Sequence, residues 1–152
     1  MKRRFILSCF LVCALFALSA VAVDLPTRKN KDYSSPESVA GATTVDAAKA
    51  HELWEQRVVF IDVRKADQFE SGRIPGAINL SYGPEITGEQ PFNAAALEAS
   101  VAKNDPVVFY CNDAGCDRSS WSSALALEWG WTKVYYFREG FPAWSKAGYP
   151  VE

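Results

Sequence analysis

The sequence predicts an α/β fold in which a parallel sheet is covered by helices on both faces. Short apolar runs rich in Val, Ile and Phe alternate with segments whose apolar residues recur at helical spacing, which is typical of β-α-β units. Such apolar runs are typical of strands that are buried on both faces. The chain of 152 residues shows no internal repeat or low-complexity tract. This length favours one domain with one sizeable core.

The first 22 residues have the features of a secretory signal peptide. Lys2-Arg3-Arg4 precedes an apolar stretch from Phe5, and small residues end the segment at Ala22. We therefore expect cleavage after Ala22 and a periplasmic or secreted protein. An uncleaved membrane anchor is the alternative, because the apolar stretch is nearly long enough to span a bilayer. Such an anchor would still place the rest of the chain outside the cytoplasm.

The charge of the mature chain excludes some classes of partner. Cleavage after Ala22 would remove three basic residues and no acidic ones, which changes the formal net charge from −2 to −5. Apart from the mixed run Arg28-Lys29-Asn30-Lys31-Asp32, no cluster of Lys and Arg remains. We therefore expect no nucleic-acid partner and, after signal cleavage, no membrane association.

The next segments are predicted in chain order. Residues 23–42 are polar and contain Pro26 and Pro36, which predicts a mostly extended leader. Asp46 is a suitable N-cap for a helix, and residues 58–63 follow as a buried strand. Residues 77–80 form a second, shorter strand. The inward stripe of the first helix consists of Ala47, Ala50, Leu53 and Trp54.

The second half of the chain repeats the alternation. Asn93 caps a helix that Asp105-Pro106 ends before the strand at residues 107–110. Apolar residues four apart indicate a further helix that stops at Gly130. A strand at residues 134–137 and a short helix through Trp144 close the domain. The first of the two longer helices has Leu97 and Val101 on one side, and the second has Trp121, Leu125 and Trp129 four apart.

The candidate nucleophile is Cys111, which directly follows the strand at residues 107–110. A helix begins a few residues later, around Arg118-Ser119. Reactive groups gather at the carboxyl ends of parallel strands. Loop N–H groups and the positive end of a helix lower a thiol pKa and hold an anion. The arrangement favours a nucleophilic thiolate over an inert cysteine. The rest of the candidate loop consists of Asn112, Asp113, Ala114, Gly115, Cys116, Asp117, Arg118 and Ser119.

A second cysteine lies in the same loop. Cys9 and Cys13 leave with the signal peptide, so Cys111 and Cys116 are the cysteines of the mature chain. In an oxidising compartment, two thiols this close are expected to form a disulfide. A loop curled around an anion brings its two sides together, within the roughly 4.4 to 6.8 Å between Cα atoms that a disulfide allows. A cysteine that packs as a small apolar residue is the alternative.

Three separated stretches resemble the rhodanese homology domain. They are Phe60-Ile61-Asp62-Val63-Arg64 with its continuation at residues 69–80, the loop at Cys111, and residues 138–151. Their order and spacing also agree with the family, and the similarity covers residues 43–152. We therefore expect residues 43–152 to form a rhodanese-like domain.

The resemblance implies a fold of five parallel strands with helices on both faces. It also implies that Cys111 takes up sulfane sulfur as a persulfide, which makes the protein a sulfurtransferase or persulfide carrier. The expected partners are a small sulfur donor (thiosulfate, polysulfide or a persulfide) and a thiol or other nucleophilic acceptor. Loop amides would stabilise the charged sulfur. The resemblance implies no metal and no organic cofactor.

The loop departs from the family pattern in ways that leave alternatives open. Six residues separate Cys111 from Arg118 where four are common. Enlarged loops also occur in rhodanese-like phosphatases and arsenate reductases, so oxyanion chemistry is one alternative. Asp113 and Asp117 disfavour a dianionic substrate unless they point outward. Cys116 resembles the second loop cysteine of some secreted bacterial members, which suggests a resolving cysteine or a dithiol redox protein.

A non-enzymatic scaffold is the remaining alternative, since fold does not fix function. Cys111 followed by Arg118 and Ser119 argues against it.

Residues outside the loop are interpreted as structural. Asp62 and Arg64 form a stabilising polar pair. Arg73 lies at the rim or supports the turn at residues 74–76, and guiding an anion is its alternative role. His51 lies beside the apolar stripe of the first helix, so no Cys-His dyad is expected. Residues 81–92 contain two glycines and two prolines. They predict an irregular loop whose position relative to Cys111 the sequence does not define.

Overall fold

The structure, a computed structural model, describes residues 34–152. The predicted signal peptide lies outside the described residues. Strands and helices alternate strictly, as the sequence predicts. The elements are β1 (Thr43–Val45), α1 (Ala47–Glu55), β2 (Val59–Asp62), α2 (Ala66–Glu70), β3 (Ile78–Asn79), α3 (Ala94–Ser100), β4 (Val107–Tyr110), α4 (Arg118–Glu128), β5 (Val134–Phe137) and α5 (Gly140–Lys146).

The five strands form one parallel sheet in the order β1-β5-β4-β2-β3. This confirms the predicted α/β class and the five-stranded parallel sheet. The central strand β4 pairs with β2 on one side and β5 on the other. Because the strands are parallel, their carboxyl ends share one edge of the sheet. The residue that follows β4 therefore lies in the middle of that edge.

Each face of the sheet packs against its own helices. Side chains alternate along a strand, so Val107 and Phe109 point to the face covered by α3 and α4. Val108 and Tyr110 point to the other face, where α1 and α5 pack. All four residues of β4 are fully buried. Both faces being covered explains why β4 and most of β2 consist of apolar residues.

The predicted helix caps are present, and one predicted helix end is wrong. The side chains of Asp46 and Asn93 accept hydrogen bonds from the N–H groups of Lys49 and Ala96. The helix that starts after Asn93 ends at Ser100 rather than at Asp105, because Val101 adopts extended backbone angles.

Residues 34–42 contain no helix or strand, yet they pack against the fold. Ser35 and Val39 are buried. The hydroxyl of Tyr136 lies 3.0 Å from Oγ of Ser35 and 3.1 Å from the carbonyl oxygen of Pro36. This end of the leader is therefore fixed to β5. Among the helices of residues 34–152, none is long and apolar enough to cross a membrane.

Candidate active site

Cys111 lies at the carboxyl edge of the sheet, directly after the central strand β4. Its side chain is buried. Its carbonyl oxygen accepts a hydrogen bond from the backbone N–H of Phe141 at 3.0 Å. This bond connects the start of the cysteine loop to the first turn of α5. The position agrees with the rule that reactive groups of parallel sheets lie where strands end.

Gly140 allows that close approach. Its φ of +62° is in the left-handed region that favours glycine. A Cβ atom at this position would lie 2.2 Å from the carbonyl oxygen of Cys111. The turn between β5 and α5 therefore needs glycine to support the cysteine loop.

The loop after Cys111 folds back on itself. The N–H of Cys116 donates to the carbonyl oxygen of Asp113 at 2.9 Å, and the N–H of Gly115 donates to Oδ1 of Asp113 at 2.8 Å. Cys111 and Cys116 are joined by a disulfide with a Cα to Cα distance of 6.3 Å. The predicted approach of the two cysteines is confirmed. Both belong to the core on the α3 and α4 face of the sheet.

The helix α4 begins where this loop ends. Asp117 occupies the N-cap position without a side-chain capping bond, and its carbonyl oxygen accepts from the hydroxyl of Ser120 at 2.7 Å. Asp117 and Ser119 are buried. The positive end of an 11-residue helix thus lies directly beside the two cysteines, which favours negative charge on sulfur.

A cleft of about 360 Å³ opens beside the cysteine loop. Its walls come from the loop and from the start of α2. The lining residues are Lys65, Asp67, Gln68, Asn112, Asp113, Gly115, Cys116 and Arg118. A larger recess of about 750 Å³ lies near the amino ends of β2 and β3 and contains no cysteine. Of the two loop cysteines, Cys116 lines the smaller cleft, whereas Cys111 is fully buried.

Glu85 pairs with both cations of this cleft. Its carboxylate forms an ion pair with Nη2 of Arg118 and lies 4.0 Å from Nζ of Lys65. Burial raises the pKa of Glu85, but a backbone hydrogen bond and the charges of Arg118 and Lys65 together hold it below its ordinary value. Glu85 is therefore charged at neutral pH. Through Glu85, the loop at residues 81–92 contacts the start of α4.

The end of the leader also contacts the cysteine loop. The N–H of Ser35 donates to the carbonyl oxygen of Ala114 at 2.6 Å. The guanidinium of Arg138, which follows β5, donates to the carbonyl oxygen of Ser35 through Nε at 3.2 Å and Nη2 at 3.0 Å. Ser35 thus connects the loop to the edge of the sheet.

The predicted loop residues occupy three environments. Four of them line the cleft together with Cys116 (Asn112, Asp113, Gly115 and Arg118). Ala114 binds the leader, and Asp117 and Ser119 are buried at the start of α4. Asp113 is exposed and lines the cleft, so it contributes negative charge there.

Residues interpreted as structural have structural contacts. Nη2 of Arg64 pairs with Asp62 at 2.6 Å, with both side chains buried. Arg73 pairs with Glu152. His51 stacks on Tyr149 with 4.1 Å between ring centroids. It belongs to α1, which packs against one face of the sheet, whereas Cys111 and Cys116 belong to the core on the other face.

Sequence reasoning missed four residues that contact or border the loop. They share no motif, and each belongs to a segment that is distant in sequence from Cys111. Glu85 lies in the loop that could not be placed, and Ser35 lies in the predicted leader. The missed residues are Ser35, Lys65, Glu85 and Arg138.

Comparison with known proteins agrees with this architecture. The family model of the rhodanese-like domain matches residues 27–147, so the match begins inside the predicted leader. Thiosulfate sulfurtransferase 16, chloroplastic, of Arabidopsis thaliana is 27% identical over 113 residues, covering 72% of this chain and 92% of that protein. Thiosulfate sulfurtransferase GlpE of Actinobacillus succinogenes is 32% identical over 100 residues, covering 64% and 78%.

A solved structure shares the fold. The BH2092 protein from Bacillus halodurans superimposes with a TM-score of 0.60, covering 73% of this chain and 77% of that chain. The two sequences are 22% identical. At this identity the similarity concerns the arrangement of strands and helices.

Proposed function

This chain belongs to the rhodanese-like domain family, and we propose that it is a sulfurtransferase that carries sulfane sulfur as a persulfide on Cys111. The observation that supports this most is the position of Cys111, at the end of the central strand and beside the start of α4. Two relatives are named thiosulfate sulfurtransferases. We also propose a periplasmic or secreted location, which agrees with a disulfide in the cysteine loop.

The proposed reaction has two displacement steps. The Cys111 thiolate attacks the outer sulfur of a donor such as thiosulfate, so that a persulfide forms on Cys111 and sulfite leaves. A thiolate or another nucleophile then attacks the terminal sulfur and restores the Cys111 thiolate. Loop N–H groups and the amino end of α4 stabilise the negative sulfur in both steps.

Cys116 is proposed to resolve the loaded cysteine when no acceptor arrives. Its thiolate attacks the inner sulfur of the Cys111 persulfide, forming the disulfide and releasing hydrosulfide. An external dithiol must then reduce the disulfide before the next cycle. The 6.3 Å between the two Cα atoms permits this step. A dithiol redox protein, which cycles between disulfide and thiols without carrying sulfur, is the second candidate that this disulfide favours.

Mass spectrometry of reduced protein tests the proposed function. The disulfide is first reduced, the reductant is removed, and thiosulfate or polysulfide is added. We expect a mass increase of one sulfur atom, located on the peptide that contains Cys111. Loss of two hydrogens together with released hydrosulfide is the product of the resolving step, whereas loss of two hydrogens without an adduct and without hydrosulfide would support the dithiol redox protein. If neither mass change occurred, both candidate functions would be contradicted.

Thiol counting tests the role of Cys116. Wild-type protein purified without reductant is expected to have fewer than two free thiols in residues 34–152, because the disulfide forms in air. Cys116→Ser is expected to have one free thiol and to keep its sulfur adduct longer, since the resolving thiolate is absent. Two free thiols in air-exposed wild type would defeat the resolving role and leave Cys111 as the proposed carrier.

A further inference from the structure

We infer that Glu85 is a specificity-determining residue, which holds Arg118 in an ion pair and so selects singly charged sulfur donors over dianions such as thiosulfate. This inference rests on the proposed function of Cys111 and names the class of donor for the same site. Glu85 and Cys111 are 26 positions apart in the chain. Glu85 pairs with Arg118, which lines the cleft together with Cys116, and Cys116 is the disulfide partner of Cys111.

The guanidinium of Arg118 is only partly available to a ligand. Its Nη2 donates to Oε1 of Glu85. Its Nη1 is buried and has no hydrogen-bond acceptor within residues 34–152. A guanidinium binds a dianionic oxyanion best when two parallel N–H groups are free. With Glu85 in place, one of the two terminal nitrogens is already engaged, so the two terminal nitrogens cannot bind a dianion side by side.

The charges around the cleft point in the same direction. Lys65 and Arg118 are the cations of its lining, and Asp67 and Asp113 are the carboxylates. Glu85 adds a third carboxylate that pairs with both cations. The balance is therefore one net negative charge. A dianion entering the cleft must displace Glu85 from Arg118 or accept its repulsion.

The size of the effect follows from the charge of the donor. The side chain of Glu85 is 39% exposed, so water screens its charge substantially. Removing that charge should strengthen the binding of a monoanion by roughly threefold. The Coulomb energy scales with the product of the charges, so it is twice as large for a dianion. The factor by which binding strengthens is then squared, which gives about tenfold for the dianion.

Two donors of similar shape allow the comparison. Methanethiosulfonate has a methyl group where thiosulfate has one charged oxygen, so it has a single negative charge. Both load Cys111 by the same displacement. The thiolate attacks the outer sulfur, and sulfite leaves from thiosulfate or methanesulfinate from methanethiosulfonate. The terminal sulfur then passes to an acceptor such as cyanide, which gives thiocyanate and restores the thiolate.

The test is Glu85→Gln in the reduced protein, with Glu89→Gln as control. The amide oxygen of Gln still accepts from Arg118, so the substitution removes charge and retains the contact. Glu89 is an exposed carboxylate of the same loop, and its Oε1 accepts a hydrogen bond from Nδ2 of Asn93. We expect Glu85→Gln to lower KM for thiosulfate about tenfold and for methanethiosulfonate about threefold. Glu89→Gln should leave the ratio of the two KM values as in wild type.

A second readout is independent of sulfur transfer. Alkylation of Cys111 is measured with iodoacetate, an anion, and with iodoacetamide, which is neutral. Glu85→Gln should increase the rate ratio of iodoacetate to iodoacetamide by roughly threefold. A purely structural role of Glu85 would change both rates together and leave the ratio as it was.

The outcomes separate the inference from the proposed function. Unchanged donor and alkylation ratios in Glu85→Gln would overturn the role of Glu85, even if Cys111 carries sulfur. A shifted alkylation ratio without sulfur loading from either donor would support charge selection by Glu85 and contradict sulfur transfer. If the ratio of the donor KM values and the ratio of the alkylation rates both shift in Glu85→Gln, and neither shifts in Glu89→Gln, the role of Glu85 and sulfur transfer by Cys111 are both supported.

Discussion

Cys111→Ser is expected to abolish sulfur uptake while the fold remains intact. Serine is close to cysteine in size, so the buried position after β4 can accept it without a cavity. A serine hydroxyl is not an effective nucleophile toward sulfur, because its alkoxide does not form at neutral pH, whereas cysteine reacts as the thiolate. The measurements are the sulfur adduct by mass spectrometry and thiocyanate formation with cyanide as acceptor.

The matched control is Cys116→Ser, which also removes the disulfide. Both variants are compared with reduced wild-type protein, so that loss of the disulfide does not enter the comparison. Cys116→Ser should retain sulfur loading, and all three proteins should have similar circular dichroism spectra. If Cys111→Ser acquired sulfur at the wild-type rate, Cys111 would not be the carrier.

The fold was predictable because its main signals are local. The continuous apolar run at residues 107–110 reports burial on both faces of a sheet, and β4 is fully buried. Asp46 and Asn93 report helix starts, because each side chain accepts a backbone hydrogen bond within its own first turn. Such signals involve residues within a few positions of one another.

Two elements were not predicted individually, for physical reasons. β1 has three residues, of which two are exposed, so it has no apolar run to recognise. Its position is fixed by pairing with β5, more than 90 positions away in the chain. α2 has five residues and none is buried. Neither element has the periodicity from which strands and helices are predicted.

The candidate site was predictable in its loop and not in its surroundings. A strand, a cysteine and a following helix are contiguous in sequence, so Cys111 and the start of α4 could be identified together. Glu85 and Ser35 reach the loop from elsewhere in the chain through an ion pair and a backbone hydrogen bond. Such partners depend on tertiary packing, which a local sequence pattern does not encode.

Arg64→Met is expected to destabilise the protein by about 3–5 kcal/mol. Asp62 and Arg64 are almost completely buried and pair at 2.6 Å. Arg64 also donates to the carbonyl oxygen of Gly72 and lies over the ring of Phe141. Methionine can fill much of the same space, so the loss comes mainly from leaving the carboxylate of Asp62 buried without its counter-charge.

The same substitution at Arg73 is the control, because Arg73 pairs with the exposed Glu152 at the surface. Urea unfolding followed by tryptophan fluorescence gives the free energy of unfolding, since Trp131 and Trp144 are buried. Arg73→Met should cost a small fraction of what Arg64→Met costs. Adding Asp62→Asn to Arg64→Met should recover part of the loss, because no charge then remains buried. Equal losses for Arg64→Met and Arg73→Met would show that the buried charge at Asp62 is not the cause.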